Sequence, residues 1–456
     1  MSSIIDQLSI NDRVGAAGSL PPRESILDIA PQSMPASSKM VSIVPISSNS
    51  VSASQTIQFQ LPSRHAMRNG SGYLRFKFSW ENAAHDFSFA GASASAQALF
   101  NSVQLQVGGV VVEQINNFHM WNNNIVQAHC MTNESLINTA MSEGSLTSGQ
   151  FSQVGNYSAV NMTGATLIPQ TTVQGQFRQG SGNHFFAVDL PLGLTHNKNG
   201  TMLPNFLMNN ILLTIQTNPI TKAFYTSTTS LGSTFNYTIS DMEYVYQEIT
   251  LSEEYLQSVR SGLSSNKLVK IEAQSALNVQ IGANTTVQQL FSLNLSSLDC
   301  ILFGTQIGPD GVGNPKWFQA TPAERNDPSV RYEVYLDGDL LYASARQLCD
   351  PEVAFRELKR ALAGSISPVD NTPIVQQIGL TSGYAHNGSY CNQAYLRGLS
   401  CRRWVDESTS MNGSKVNTVR IQFTNAEYNA NDSIQLFFVY SYILLLDGQG
   451  GVSKVM

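Results

Sequence analysis

One succession of local patterns occurs twice along this chain, and that repetition limits the fold more than any single motif does. In the first copy Val103, Leu105 and Val107 alternate with Gln104 and Gln106, reach Gly108-Gly109 and resume from Val110 to Ile115. Apolar residues at every second position describe a half-buried strand, and paired glycines supply the positive φ angles of a tight hairpin. In the second copy Tyr332, Val334 and Leu336 alternate with Arg331, Glu333 and Tyr335, reach Asp337-Gly338 and resume at Leu340 and Leu341. A helical pattern follows each hairpin. Asn117 stands as the cap of one, with Phe118, Trp121 and Ile125 on one face. Asp350 caps the other, with Pro351 at its first position, Phe355, Leu358 and Leu362 on one face, Lys359 and Arg360 near its end, and Gly364 as the stop. Further on, Leu213 to Asn218 (LTIQTN) matches Val419 to Asn425 (VRIQFTN), and Phe235 to Ile249 matches Ser433 to Leu446. The offsets fall from about 230 at the hairpins to about 205 and about 195 at the later strands, so the first copy carries the longer loops.

The remaining patterns extend both copies as β structure. Gln55 to Leu61 and Tyr73 to Trp80 alternate as half-buried strands, and His184 to Leu190 and Ile211 to Thr217 read as strands too. A second short helix runs from its cap Asn133 to Gly144. Residues 145 to 183 form a long loop with a β-ribbon near Thr166 to Phe177. Between the copies, Leu251 to Gly262 is helical, with Ser252 as cap, Glu253 and Glu254 in the first turn and Arg260 in the last. The run Leu436 to Leu446 (LFFVYSYILLL) is short of the ~18 to 20 residues that span a bilayer and reads as a fully buried strand. These boundaries give an N-terminal arm over 1–40, a first domain over 41–250, a helical linker over 251–268, a second domain over 269–447 and a tail over 448–456. Each domain is large enough to bury its own core.

The passages Ala98 to Ile115, His184 to Leu194 with Leu212 to Asn218, and Val330 to Tyr342 carry a resemblance. With them, the chain resembles the double jelly-roll major capsid proteins of tailless icosahedral DNA viruses, including virophages, Polinton-like viruses and membrane-containing phages. The resemblance spans Val41 to Asp447. It implies an all-β fold of two consecutive eight-stranded jelly-roll sandwiches with a few short helices in loops, and a homotrimer of pseudo-hexagonal outline that tiles a shell around a DNA genome. Residues 145–183 and Gly304 to Pro328 become candidates for outward loops. Penton and minor capsid proteins, and an internal membrane, become expected neighbours within the virion.

Composition agrees with such a role. Only 13% of residues are charged against 42% hydrophobic, and neutral polar residues fill the deficit. Such a surface suits burial against neighbours, because a charge at the centre of an interface has to be desolvated and paired. The net charge is −6, and the first forty residues offer only Arg13, Arg23 and Lys39 against Asp6, Asp12, Glu24 and Asp28. No basic arm is present to neutralise phosphates, so direct tight binding of nucleic acid is not expected. The start MSSIIDQLSINDR lacks the pattern of a secretory signal, which points to assembly inside the host cell.

The sequence nominates no catalytic, cofactor-binding or metal-binding residue, and no enzymatic activity is expected. Five scattered cysteines, Cys130, Cys300, Cys349, Cys391 and Cys401, read as reduced thiols rather than a disulfide framework. The histidines, including His119 and His129 ten residues apart, match no zinc spacing, and Asp337 with Asp339 reads as a turn rather than a calcium loop. Gly180-Ser181-Gly182 and the glycines from Gly448 to Gly451 read as flexible connections. Arg356, Lys359 and Arg360 serve the helix end, and Arg402-Arg403-Trp404 a loop or subunit contact. A receptor- or carbohydrate-binding β-sandwich, a spike or fibre component, is the competing reading; it calls for clustered exposed aromatics, and Trp80, Trp121, Trp317 and Trp404 are dispersed. A β-sandwich hydrolase would need two facing carboxylates, and no pair stands out.

Overall fold

In the computed structural model the described residues are 36–91, 93–130, 142–143, 176–177, 179–196, 202–226, 230–263, 268–282, 286–306, 308, 311–313, 318, 330–341, 351–362, 396–402, 413–424, 428, 431–447 and 450–456. Alternation of apolar and polar residues builds eight strands in the first half: β1 (Ala36–Ile43), β2 (Thr56–Leu61), β3 (Tyr73–Ala83), β4 (Phe100–Val107), β5 (Val110–Asn116), β6 (Gly180–Asp189), β7 (Ile211–Thr217) and β8 (Asn236–Leu251). They pair antiparallel in the orders β1-β8-β3-β6 and β2-β7-β4-β5. Short segments at Ser50–Val51, Ala66–Arg68 and Met202–Leu203 widen the first of these sheets. Leu74, Phe76 and Phe78 are buried while Arg75 between them is exposed, so β3 turns one face to the core. That core is dense in rings: Phe177 sits 5.2 Å from Phe78 and 4.9 Å, edge to face, from Phe89.

The second half repeats the plan with β9 (Val269–Gly282), β10 (Thr286–Gln306), β11 (Arg331–Leu336), β12 (Asp339–Leu340), β13 (Leu396–Ser400), β14 (Ser414–Thr424) and β15 (Ser433–Leu446). Its orders are β9-β15-β10-β13 and β10-β14-β11-β12. Strand β10 serves in both sheets, pairing with β14 from Thr286 to Leu298 and with β15 from Leu298 to Gln306. Its corner is marked by two register shifts around Leu295 and by Asn294, which has φ +52°. Extra residues of this kind let one strand bend from sheet to sheet. Position for position, the two halves of β10 stand where β2 and β3 stand in the first sandwich. Each half of the chain is thus a jelly roll of two packed four-stranded layers.

The hairpins form at the glycines that mark them, with Gly108 at φ +57° and Gly109 at +86°, and Asp337 at +49° with Gly338 at +99°. The helices are short: α1 (Phe118–Trp121), continuing as π-helical turns over Asn122–Cys130, then α2 (Glu253–Leu263) between the sandwiches and α3 (Pro351–Leu362). Helix α3 buries Leu358 and Leu362 and packs on β13, where Gly398 leaves room for Leu358 and Ala361. Among the described residues no helix is long and apolar enough to cross a membrane.

Several local expectations are corrected. Strand β1 begins at Ala36, inside the stretch read as an arm, because an edge strand with Ser37, Ser38 and Lys39 exposed needs no alternation. Gly180-Ser181-Gly182 is no flexible loop but the start of β6. The Trp80 indole lies across Gly182, and an added Cβ would come 2.4 Å from its ring. The supposed tail contributes β16 (Val452–Val455), paired to the end of β15. Asn117 makes no side-chain cap but adopts φ +47°. Gly304 to Gln306 belong to β10 rather than to a loop. Of residues 145–183, Gln176 and Phe177 pair with Ser88 and Phe87, and β6 starts at Gly180; residues 145–175 and most of 307–329 lie outside the described residues. The second short helix does too, apart from Ser142 and Glu143.

Candidate functional site at the seam between the sandwiches

The two sandwiches meet where β5 of the first runs along β9 of the second. Glu113, in β5, is 1% exposed. Its carboxylate accepts the backbone N–H groups of Gly193 at 2.8 Å and Leu194 at 3.2 Å, and the Tyr442 hydroxyl of β15 at 3.4 Å. Burial raises its pKa; the two N–H groups and the nearby Lys454 ammonium pull the other way. Lys454, on β16, lies 4.5 Å over the Tyr442 ring and donates to the Tyr440 hydroxyl at 3.2 Å. Burial lowers its pKa while Glu113 raises it. Strand β16 therefore brings a cation to face Glu113 in the seam.

Around this link the contact is close. Gly193 lies flat on the backbone of β9, where an added Cβ would stand 1.7 Å from the Gln274 carbonyl oxygen. The Asn117 amide, aimed by its left-handed backbone, donates to Asn278 Oδ1 at 2.7 Å, and Asn278 in turn donates to the Leu436 carbonyl at 3.1 Å. Trp121 and Phe437 place their rings 5.5 Å apart. At another point the Thr226 N–H donates to the Val312 carbonyl at 2.9 Å. These contacts explain the apolar run of β15. Phe438 packs on Phe291 in its own sandwich while Phe437 and Tyr442 meet the first sandwich, so both faces of the strand are covered.

A second buried polar cluster lies in the first sandwich. Glu143 accepts the Asp189 N–H at 2.9 Å and the Gln97 amide at 3.3 Å, and it also accepts from Gln127. Burial, reinforced by the Asp189 carboxylate, pushes its pKa up to about 8. Ser93 donates to Gln127 at 2.5 Å and Ser95 to Asn123 at 2.9 Å, which ties the π-helical turns to the segment that leads into β4.

The residues weighed in the sequence fall elsewhere. His119 is buried, and the half-buried His196 has its pKa lowered to about 4 by desolvation. Asp337 accepts from the backbone of Asn417 at 3.0 Å and of Thr418 at 2.7 Å, which locks the hairpin turn. Arg360 pairs with Glu357 at 3.0 Å. Arg402 bridges to Gly413, while Arg403 and Trp404 lie outside the described residues. Trp80 and Trp121 are core residues, not an exposed aromatic platform. Cys300 and Cys401 are buried and form no disulfide. Among the described residues no three His, Cys, Asp or Glu side chains are grouped to hold a metal ion.

The outer face of the sheet β2-β7-β4-β5 carries Gln58, Gln60, Gln104, Gln106, Gln114 and Gln216 and no charged residue. The same face of the second sandwich carries Glu333, Arg331 and Arg420, the last 3.9 Å over the Tyr335 ring. Sequence reasoning missed Glu113 and Glu143. Glu113 gave one signal, an acid within a strand-forming run of a chain that uses few charges, whereas Glu143 stands at the end of the helical pattern from Asn133 to Gly144 and gave none.

No protein-family model matches the sequence, and no curated protein matches it. Solved structures do match. The Faustovirus major capsid protein superposes with a TM-score of 0.57 at 11% identity, covering 97% of this chain and 98% of that one. The mavirus major capsid protein gives 0.52 at 11% identity, covering 96% and 94%. A chain of the Sputnik virophage gives 0.56 at 10% identity, covering 94% and 90%. At these identities the likeness is one of fold, and it spans both sandwiches. This chain therefore has the double jelly-roll fold, two sandwiches in series, which it shares with the major capsid proteins of Faustovirus and mavirus.

Proposed function

We propose that this chain is the major capsid protein of an icosahedral DNA virus and works by geometry rather than catalysis. The observation that carries the reading is the seam: two sandwiches with the same strand order are locked into one block by Glu113, Gly193, Asn117 and Trp121. Three such blocks offer six similar corners, which is the requirement for a trimer of hexagonal outline. A surface poor in charge, with a sheet face that carries six glutamines and no charge, suits burial against neighbouring capsomers. The division of the chain around residues 251–268, between the sandwiches, belongs to the same proposal. So do lateral contacts with penton and minor capsid proteins, location in the virion and assembly inside the host cell. The net charge of −6 favours a membrane or minor proteins between shell and genome over direct contact with DNA.

The test is the mass of the purified chain in solution by light scattering. A stable species of three chains supports the reading. A monomer at every concentration overturns it.

A further inference from the structure

The last long strand of each sandwich has one edge that its main neighbour covers only in part. Strand β3 pairs with β8 as far as Val245, and β10 pairs with β15 as far as Tyr440, where β10 bends away into the other sheet. The backbone groups beyond these points need a partner, because an open edge invites pairing with another chain. The two sandwiches supply it from different pieces of chain. In the first, Ala66–Arg68 from the connection between β2 and β3 pairs with Glu248 and Ile249, and Met202–Leu203 pairs on its far side. In the second, β10 runs unbroken through the positions of β2 and β3, so it has no connection to lend. Strand β16 takes the slot instead, with Val452 opposite Leu446 and Val455 opposite Ile443. Among the described residues no strand pairs with its far edge, and none of its own side chains is fully buried.

The same strand reaches the first sandwich. Lys454 lies over the Tyr442 ring and faces Glu113 of β5. At the turn of the β4–β5 hairpin, a Cβ added to Gly108 would stand 3.7 Å from the Gly450 carbonyl oxygen and 3.7 Å from the Val452 side chain. Gly450, with φ +84°, lies against Asn209 just before β7. The Ser296 hydroxyl of β10 donates to the Met456 carbonyl. One short strand thus touches both sandwiches, by a ladder on one edge and by a few side chains across the seam.

We propose that β16 is a strap: it closes over the seam once the two sandwiches have met, and it leaves its slot as a unit while both stay folded. The slot for its backbone belongs to the second sandwich, but the surface under Val452 and Lys454 is complete only when the first is in place. A strand laddered on one edge, with no fully buried side chain, opens at less cost than the long strands around it. Its opening uncovers residues 443–446 and the seam at Glu113 together, so the closed strap keeps the apolar end of β15 from pairing with another chain. The strap follows from the fold of one chain and does not depend on the capsid reading.

Hydrogen–deuterium exchange of the whole chain, read by mass spectrometry, tests it. Amides of residues 452–455 are expected to exchange together, at least about tenfold faster than those of residues 433–440 in β15. Lys454→Gln removes the charge that faces Glu113 and is expected to speed the exchange of residues 452–455 by roughly tenfold more. The same variant is expected to speed residues 110–116 of β5 and to leave residues 73–83 of β3 unchanged. Protection of residues 452–455 equal to that of 433–440 in the wild type overturns the strap, since the strand then opens only with its sandwich. Exchange in Lys454→Gln that matches the wild type at residues 452–455 and 110–116 overturns it too.

Discussion

The hydroxyl of Tyr442, in the last long strand of the second sandwich, donates to the carboxylate of Glu113 in the first at 3.4 Å, and both side chains are buried. Glu113 also satisfies two backbone N–H groups, those of Gly193 and Leu194. Glu113→Ala leaves these donors without an acceptor, at roughly 1–3 kcal/mol for each buried group. The variant is expected to lose about 2–5 kcal/mol of stability by urea denaturation. It is also expected to expose the seam to limited proteolysis before either sandwich is cut.

Glu143 gives the pH dependence a sign. Its pKa stands at about 8 in the folded chain against 4.5 ordinarily, so the native state holds the proton more tightly than the unfolded state. The stability contributed by the neutral carboxyl is complete below 4.5 and is lost as the pH climbs towards 8. Asp189 and Glu113, both raised by burial, act in the same direction. Glu143→Gln keeps the shape without the charge. Its urea midpoint is expected to match the wild type near about pH 5 and to exceed it near about pH 8.5.

Gly193 is required by backbone, not by a movable side chain. A Cβ there would meet the Gln274 carbonyl oxygen at 1.7 Å, whereas one at Gly282 meets nothing within 4 Å. Gly193→Ala is expected to cost about 1–3 kcal/mol through forced separation of the sandwiches. Gly282→Ala should stay within about 0.5 kcal/mol. Thermal denaturation of the two variants side by side makes the comparison.

The balance of charge predicts weak affinity for nucleic acid. With a net charge of −6 and no cluster of cations in the first forty residues, fluorescence anisotropy with duplex DNA at physiological salt is expected to show no binding tighter than the ~10⁻⁴ to 10⁻⁶ M of non-specific contacts.

Much of the architecture could be read from local pattern. Ile211–Thr217, Ser433–Leu446 and Pro351–Leu362 fall on the bounds that alternation and capping residues set, and both hairpins turn at their marked dipeptides. What escaped depends on partners distant in sequence. Gly182 is a strand residue because Trp80 covers it, and β16 exists because the end of β15 offers a free edge. Glu113 follows Val112 in a run that reads as an ordinary outward-facing strand position. Only the arrival of the second sandwich turns it into the buried acceptor of Tyr442. Asn117 was legible as a helix start, but its amide is spent across the seam on Asn278 rather than on its own helix.

The central claim, a two-sandwich block that closes into a threefold capsomer, is met most directly by electron microscopy of the purified protein with class averaging. The account predicts particles of threefold symmetry and hexagonal outline, with six lobes alternating between two kinds. Isolated two-lobed monomers, or open chains of unequal length, would contradict it.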